Sequence, residues 1–190
     1  MKNILLAASI ALATATSAFA ADSYKVDASH AQIVFSYNHL GFSTTYGMFS
    51  GFNGAATLDE ANIANSSIKI EIQVADMLTG WEARDNHFKA GDFFNVAEFP
   101  AVTFTSTTVE ATGEKTAKIT GDLTILGETK PVTLDATLNK IGTNPLHGKG
   151  WAGFDATTTL TRSEWGLGRF APNVSDEVNL VISLELEKTS

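Results

Sequence analysis

The side chains with the widest chemical reach in this chain are four histidines, His30, His39, His87 and His147, in a sequence without a single cysteine. The lack of Cys removes thiol nucleophiles, disulfide staples and Cys-type zinc sites. His30 and His39, with Asp27 nearby, have the composition of a two-histidine, one-carboxylate metal site. Their separation works against it: along an extended strand at about 3.3 Å per residue they stand roughly 30 Å apart. Only a turn near Ala31 would bring them together, so no metal is assigned. A Ser–His–Asp hydrolase would need its nucleophile on a G-x-S-x-G elbow between strand and helix, and neither the elbow nor the alternating α/β pattern is present. Gly142 to Lys149 has the look of a phosphate loop, but its glycines have five residues between them instead of four and no helix follows. No catalytic residue and no cofactor is therefore assigned. What remains are polar groups beside aromatic ones: His39, Arg84, His87, and Arg162 in an Arg162-Ser163-x-x-Gly166 run, whose guanidinium could pair with a carboxylate near one end of the fold.

Arg84 and His87 belong to the stretch from Thr79 to Phe104, TGWEARDNHFKAGDFFNVAEFPAVTF. Thr79 and Glu82 form a T-x-x-E capping box, in which hydroxyl and carboxylate satisfy backbone N–H groups reciprocally. Asp85 and Lys89 stand at i, i+4 with the acid first, and Gly91 is placed to close the C-terminus in the left-handed region. The spacing predicts a helix from Gly80 to Ala90. Trp81 and Phe88 lie seven residues apart on it, and Phe93, Phe94 and Phe99 follow before Pro100 restarts extended chain. Two readings fit: a plug packed on a core, or a lid over a cavity with aromatics inward and charges at its rim.

Nearly everything else alternates with period two. Tyr24 to Asn38 and Thr44 to Leu58 read as extended, the second broken up by Gly47, Gly51 and Gly54, which mark bends or close backbone approach. Ile68, Ile70, Ile72 and Val74 alternate strictly with polar residues. Further strands are expected over 102–109, 117–126, 131–141, 150–161 and 178–186. About eight strands with short connections suit an all-β, antiparallel, eight-stranded barrel with one helix inserted mid-chain, and a sandwich is the alternative. The inward candidates are Ile33, Phe35, Tyr37, Phe49, Ile70, Ile72, Phe104, Leu123, Leu134, Phe154, Leu180 and Ile182, joined by Trp81, Phe88 and Phe93 from the helical stretch. They form either a solid core or the wall of a binding lumen.

Met1 to Ala20 has the form of a secretory signal: Lys2, an apolar run from Ile4 to Ala15, and an Ala18-Phe19-Ala20 cleavage site. The expectation is cleavage after Ala20, a soluble periplasmic product, and one domain over residues 21–190. With 13 Lys and Arg against 21 Asp and Glu, the net charge is −8, which argues against nucleic acid or an anionic membrane surface as a partner.

Several motifs occur together and in order: Asp27-x-x-His30 and His39; Gly47-x-Phe49-x-x-Phe52-x-Gly54; Thr79 with Arg84-Asp85-x-His87; Asp92-Phe93-Phe94; Phe99-Pro100-x-x-x-Phe104; Gly121-x-Leu123-x-x-x-Gly127 with Pro131-Val132; and Arg162-Ser163-x-x-Gly166 with Trp165 as its aromatic. In this combination the chain resembles the YceI-like family of lipocalin-like, polyisoprenoid-binding periplasmic proteins, from about Asp27 to Glu187. Phe88 stands where the family often has Leu, and Ala31 where it usually has Ser. The resemblance implies an elongated barrel with a tube-shaped apolar cavity, and a bound isoprenoid lipid or quinone in place of a cofactor. It gives Asp27, His30 and His39 structural or rim positions.

The sequence thus supports a periplasmic binding protein for a long apolar lipid, with the fifteen apolar and aromatic residues named above as lumen and lid, and His39, Arg84, His87 and Arg162 as rim. Transient contact with a membrane or a delivery partner is expected, and a homodimer is left open. An enzyme acting on such a lipid at the barrel mouth, or a filled, ligand-free barrel, are the alternatives.

Overall fold

The computed structural model describes residues 21–189; the expected secretory segment, Met1 to Ala20, lies outside the described residues. Ten antiparallel strand segments form one sheet: β1 (Asp22–Val26), β2 (Gln32–His39), β3 (Ser43–Phe49), β4 (Phe52–Leu58), β5 (Ser67–Gln73), β6 (Ala101–Ala111), β7 (Thr116–Ile125), β8 (Glu128–Thr143), β9 (Gly150–Thr161) and β10 (Glu177–Lys188), with the helix α1 (Glu82–Lys89) between β5 and β6. Their order is β1-β4-β5-β6-β7-β8-β9-β10-β2-β3, and β1 also pairs with β10, which closes the sheet on itself.

The ten segments make eight staves. β10 pairs with β2 over Asn179–Ser183 and with β1 over Leu186–Lys188, so β1 and β2 are two halves of one stave. β3 and β4 pair with β2 and β1 in the same way and are halves of the next. The unbroken strand expected over 24–38 is therefore interrupted, and of the three glycines expected to bend 44–58 it is Gly51 that breaks it. In the first, the Asp27 carboxylate accepts from the Ser29 N–H and nucleates a 3-10 turn over Ala28–His30. In the second, Gly51 takes φ +70°, with the Asp76 carboxylate 2.0 Å from where a Cβ would stand, a position only glycine fills.

Beyond the break, β3 diverges from β5, and residues 74–100 fill the opening. Met48 and Leu78 exchange both backbone hydrogen bonds there, at 2.7 and 2.9 Å. The helix in this segment is shorter than its sequence signals. Trp81 is its N-cap residue and gives no side-chain cap, while Ala90 ends it in extended geometry. The expected capping box does not form, because Thr79 is engaged elsewhere. Gly91 is not in the left-handed region; Gly80 is, at φ +76°. Asp85 turns to Thr79 instead of Lys89.

The buried apolar residues form two separate clusters instead of the single contiguous core usual for a domain. One gathers Tyr24, Phe52, Ile70, Ile72, Leu184 and Leu186; the other gathers Ile125, Val132, Trp165 and Leu167. Many of these same side chains face open space at the barrel axis.

Candidate ligand-binding site

The open space is a tube of about 1030 Å³, at the upper end of small-molecule pockets. Strand alternation builds its wall, since every second residue of each stave points inward. Ile33, Phe35 and Tyr37 come from β2, Phe49 from β3, Ile70 and Ile72 from β5, Phe104 from β6, Leu123 from β7, Leu134 from β8, Phe154 from β9, and Leu180 and Ile182 from β10; all line the cavity. So do Trp81, Phe88 and Phe93 from the segment closing one end.

Two devices keep this lumen from filling. Registered neighbours Ala117, Ala136 and Ala156 on β7, β8 and β9 form a row, with Ala111 paired to Ala117 on β6. All four face the tube, and their short side chains set the wall back. Two glycines let phenyl rings lie against the backbone instead of across the bore. A Cβ on Gly47 would fall 2.1 Å from the Phe35 ring, and one on Gly121 would fall 2.5 Å from the Phe104 ring.

Charged residues gather at the two ends. One end, here the mouth, carries His39, Arg84, His87, Arg162 and Arg169. The other carries Asp59, Glu60, Glu114 and Lys115, with Asp155 at the same level through its register with Thr137 and Thr116.

At the mouth, Thr79 is buried. Its N–H donates to Asp85 Oδ1 at 2.8 Å and its hydroxyl donates to the same oxygen. Arg84 donates back, from Nε to Thr79 Oγ1 at 2.9 Å and from Nη2 to Thr79 O at 2.8 Å. This knot fixes the entry to α1 in place of a capping box. At the other side of the helix, the Asp92 carboxylate takes His87 Nε2 at 3.3 Å and the Arg169 guanidinium, joining the helix to the loop before β10. Burial alone would raise the Asp92 carboxyl, but hydrogen bonding from His87 and the charge of Arg169 outweigh it and hold the group below its ordinary range. Phe93 stacks on Phe88 at 5.0 Å and meets the His87 ring edge-on at 4.9 Å, and Tyr37 closes on Phe88 at 6.3 Å. His39 is exposed beside them and bridges to Val174.

Arg162 is placed differently from its sequence reading. Instead of a carboxylate it finds carbonyls: Nε donates to Ser175 O at 2.9 Å, Nη1 to Leu167 and Arg169, and Nη2 to Val174 at 3.0 Å. Burial lowers its affinity for the proton, opposed by the charge of Asp176. It acts as the internal frame of the 162–176 loop. Sequence reasoning missed Arg169 and Phe170, because this irregular loop has no periodicity. The Arg169 guanidinium lies 4.9 Å over the Phe170 ring.

The turn near Ala31 that could gather His30 does form, yet His39 stays at the far end of β2. Asp27, His30 and Glu185 instead have ligand-type atoms within 4.8 Å of one another. These atoms are engaged in hydrogen bonds. Asp27 accepts from Ser29, His30 Nδ1 meets Asp27 at 2.6 Å, and Glu185 accepts from Trp151 Nε1 at 2.6 Å. Ser29, His30 and Asp27 also have the composition of a hydrolytic triad. But serine and aspartate both meet the same nitrogen, Nδ1, whereas a triad uses opposite nitrogens of the ring.

Residues 24–186 match the sequence profile of the YceI-like domain. The chain belongs to the YceI family. Among curated relatives, a UPF0312 protein of Pseudomonas putida (strain W619) is 41% identical over 182 residues, covering 95% of this chain and 93% of that one. Among solved structures, Burkholderia cenocepacia BcnA superposes with TM-score 0.76 at 25% identity, over 84% of this chain and 98% of that one. A polyisoprenoid-binding domain from Saccharophagus degradans shares the fold, with TM-score 0.68 at 14% identity over 87% of this YceI chain and 98% of its own.

Proposed function

We propose that this YceI protein is a periplasmic binding protein that holds one long apolar chain, of polyisoprenoid or isoprenoid-quinone type, along the barrel axis without reacting it. The observation that carries the reading is the tube itself: about 1030 Å³, walled by Ile, Leu, Val, Phe and Ala from every stave, with charge gathered at its ends. A large apolar lumen is poorly wetted, so an apolar guest enters without displacing well-ordered water. The name of the Saccharophagus degradans domain points to the same ligand class, and the leader-like start of the sequence supports the compartment.

Energetics favour a carrier or reservoir over a sink. Each methylene withdrawn from water contributes about 0.8 kcal/mol, so a long chain is held tightly against water. Its competing residence is a bilayer, where it is already buried. Exchange between bilayer and barrel is then near neutral, and discrimination falls to cavity shape and the mouth.

The test is to purify the protein from its own periplasm, extract with organic solvent, and weigh the native complex by mass spectrometry. About one apolar chain per barrel is expected. A native mass equal to that of the polypeptide alone, together with no uptake of added long-chain isoprenoid, would overturn the proposal.

A further inference from the structure

We propose that the mouth end of the barrel docks on a phospholipid bilayer by inserting the β2–β3 hairpin tip, so that cargo passes from leaflet to lumen without crossing water. This rests on the lipid-binding reading above and adds the partner.

The first observation is where apolar side chains stand in solvent. Nine large hydrophobic residues are exposed among the described residues, and four of them stand at the mouth: Leu40 and Phe42 on the hairpin tip, with Trp81 and Phe170 beside the cavity. Phe42 is 89% exposed and Trp81 62%. An apolar cluster rimming a cavity marks an interaction site and not ordinary surface.

The second observation is strain. The hairpin turns through Leu40 and Gly41, both with positive φ, at 57° and 78°, and Phe42 N–H donates to His39 O at 3.0 Å. Asn-Gly suits such a turn, whereas a bulky residue in the left-handed region is an outlier. Phe170, on the facing loop, is another at φ 68°; Leu126 shares the geometry at φ 52° but packs against the Trp165 cluster instead of standing in solvent. Hydrogen bonding from Leu40 N–H to Asn173 O holds the two loops together. Two bulky apolar residues are thus held in unfavourable backbone geometry, exposed, on the same rim. Strain of this kind persists where a function uses it.

The third observation is charge. No residue from Leu40 to Leu58 carries a charged side chain, so the tip enters an apolar medium without burying an ion. Behind it, Arg84 stacks on Trp81 at 5.8 Å and hydrogen-bonds neutral oxygens of Thr79. An aromatic ring with a guanidinium beside it matches the headgroup layer, where rings sit at the interface and cations meet phosphate. The net charge of −8 gives no long-range attraction to an anionic leaflet, so insertion and not charge drives the contact, and it persists as salt rises.

Continuity with the tube selects a bilayer over a protein receptor. Trp81 and Phe170 line both the exposed patch and the cavity, so a docked mouth makes one unbroken apolar path. A chain leaving the bilayer through water would instead expose methylenes at about 0.8 kcal/mol each.

Vesicle flotation tests this, using phosphatidylethanolamine with a minor share of phosphatidylglycerol. The comparison is the secreted protein, purified after leader removal, against its Leu40→Asn/Phe42→Ser variant. Neither residue lines the cavity, and Asn relieves the turn, so the variant keeps its fold. The parent should float with vesicles and the variant should do so about tenfold less, with a matching drop in the rate at which a fluorescent isoprenoid moves from vesicle to protein. Loading of the same probe from detergent solution should be equal in both. Equal flotation of the two proteins, or no flotation of the parent, overturns the docking proposal, a protein receptor included. If both load the probe from detergent, the lipid-binding reading survives that failure. If the parent floats and loads no probe from either source, docking stands and the lumen reading falls.

Discussion

Ala136→Trp tests whether the tube is a binding site, and the structure sets its scale. Ala136 lies in the row between Ala117 and Ala156, one residue in from the level of Thr137 and Asp155, 6% exposed and facing the cavity. A tryptophan there projects from a wall that three strands have set back. An indole displacing about five methylenes of a guest, at about 0.8 kcal/mol each, removes about 4 kcal/mol, close to a thousandfold in affinity. Stability has the opposite expectation in an open tube: the ring enters free space, so the midpoint of urea unfolding of ligand-free protein should hold or rise. A filled barrel would instead suffer overpacking of about 1–3 kcal/mol. The assay pairs equilibrium unfolding with titration of a fluorescent long-chain isoprenoid. A destabilised variant whose parent also takes up no isoprenoid would refute the open tube. Unchanged affinity in a stable variant would put the guest elsewhere.

Three further outcomes are expected. Thr79→Ala leaves the Arg84 guanidinium and the Asp85 carboxylate each short of a partner, so unfolding should show a loss of about 1.5 kcal/mol or more and ligand release should quicken; an unchanged off-rate would make the segment a plug. The Asp27 hydrogen bond, with Glu185 adding, raises His30 above its ordinary 6.5, so its contribution is complete below that value and lost as pH rises through the folded one. Burial opposes the lowering of Asp27 from 3.8, but bonds from His30 and Ser29 prevail; that contribution holds above 3.8 and fades as pH falls through the lowered value. NMR titration should find His30 returning to its ordinary range in Asp27→Asn, and no change would remove the pair as the cause. Sequencing of the secreted product should start at Ala21, whereas Met1 retained in a membrane fraction would reverse the compartment.

The architecture was legible because alternation is a strong signal: one-sided strands such as Ile68–Gln73 state which face is buried. What alternation does not carry is interruption. Asp27 capping a 3-10 turn and Gly51 turning with Asp76 in its place both depend on local polar contacts, so the first halved stave reads as whole and the second shows three candidate glycines without saying which one breaks it. The capping box failed for a related reason. Thr79 and Glu82 have the right spacing, but Asp85 and Arg84 reach Thr79 first, and a buried hydroxyl with two charged partners outweighs a helix cap. The mouth was only half legible: His39, Arg84 and His87 sit in patterned segments, whereas Arg169 and Phe170 come from an irregular loop. Arg162 stands out by motif, but its partners do not, since carbonyls of its own loop cannot be read from side-chain types.

Gly47 offers the sharpest test of how the sequence keeps its barrel hollow. Its φ is unremarkable, so alanine meets no backbone penalty, and the reason for glycine is space alone. An added Cβ would fall 2.1–2.7 Å from three carbons of the Phe35 ring, with nothing else that near. The ring must leave the wall. Phe35 is buried and faces the tube, with Phe49 at 5.4 Å to one side, so the open direction is inward, across the bore. Gly47→Ala should therefore narrow the lumen at a stability loss below the roughly 1–3 kcal/mol of overpacking a solid core, while isoprenoid affinity falls by about tenfold, as for two displaced methylenes. Adding Phe35→Leu to Gly47→Ala removes the displaced ring and should restore most of that affinity. If the double variant stays as weak as the single, the ring is not what the glycine accommodates, and the account of the open lumen fails at this position.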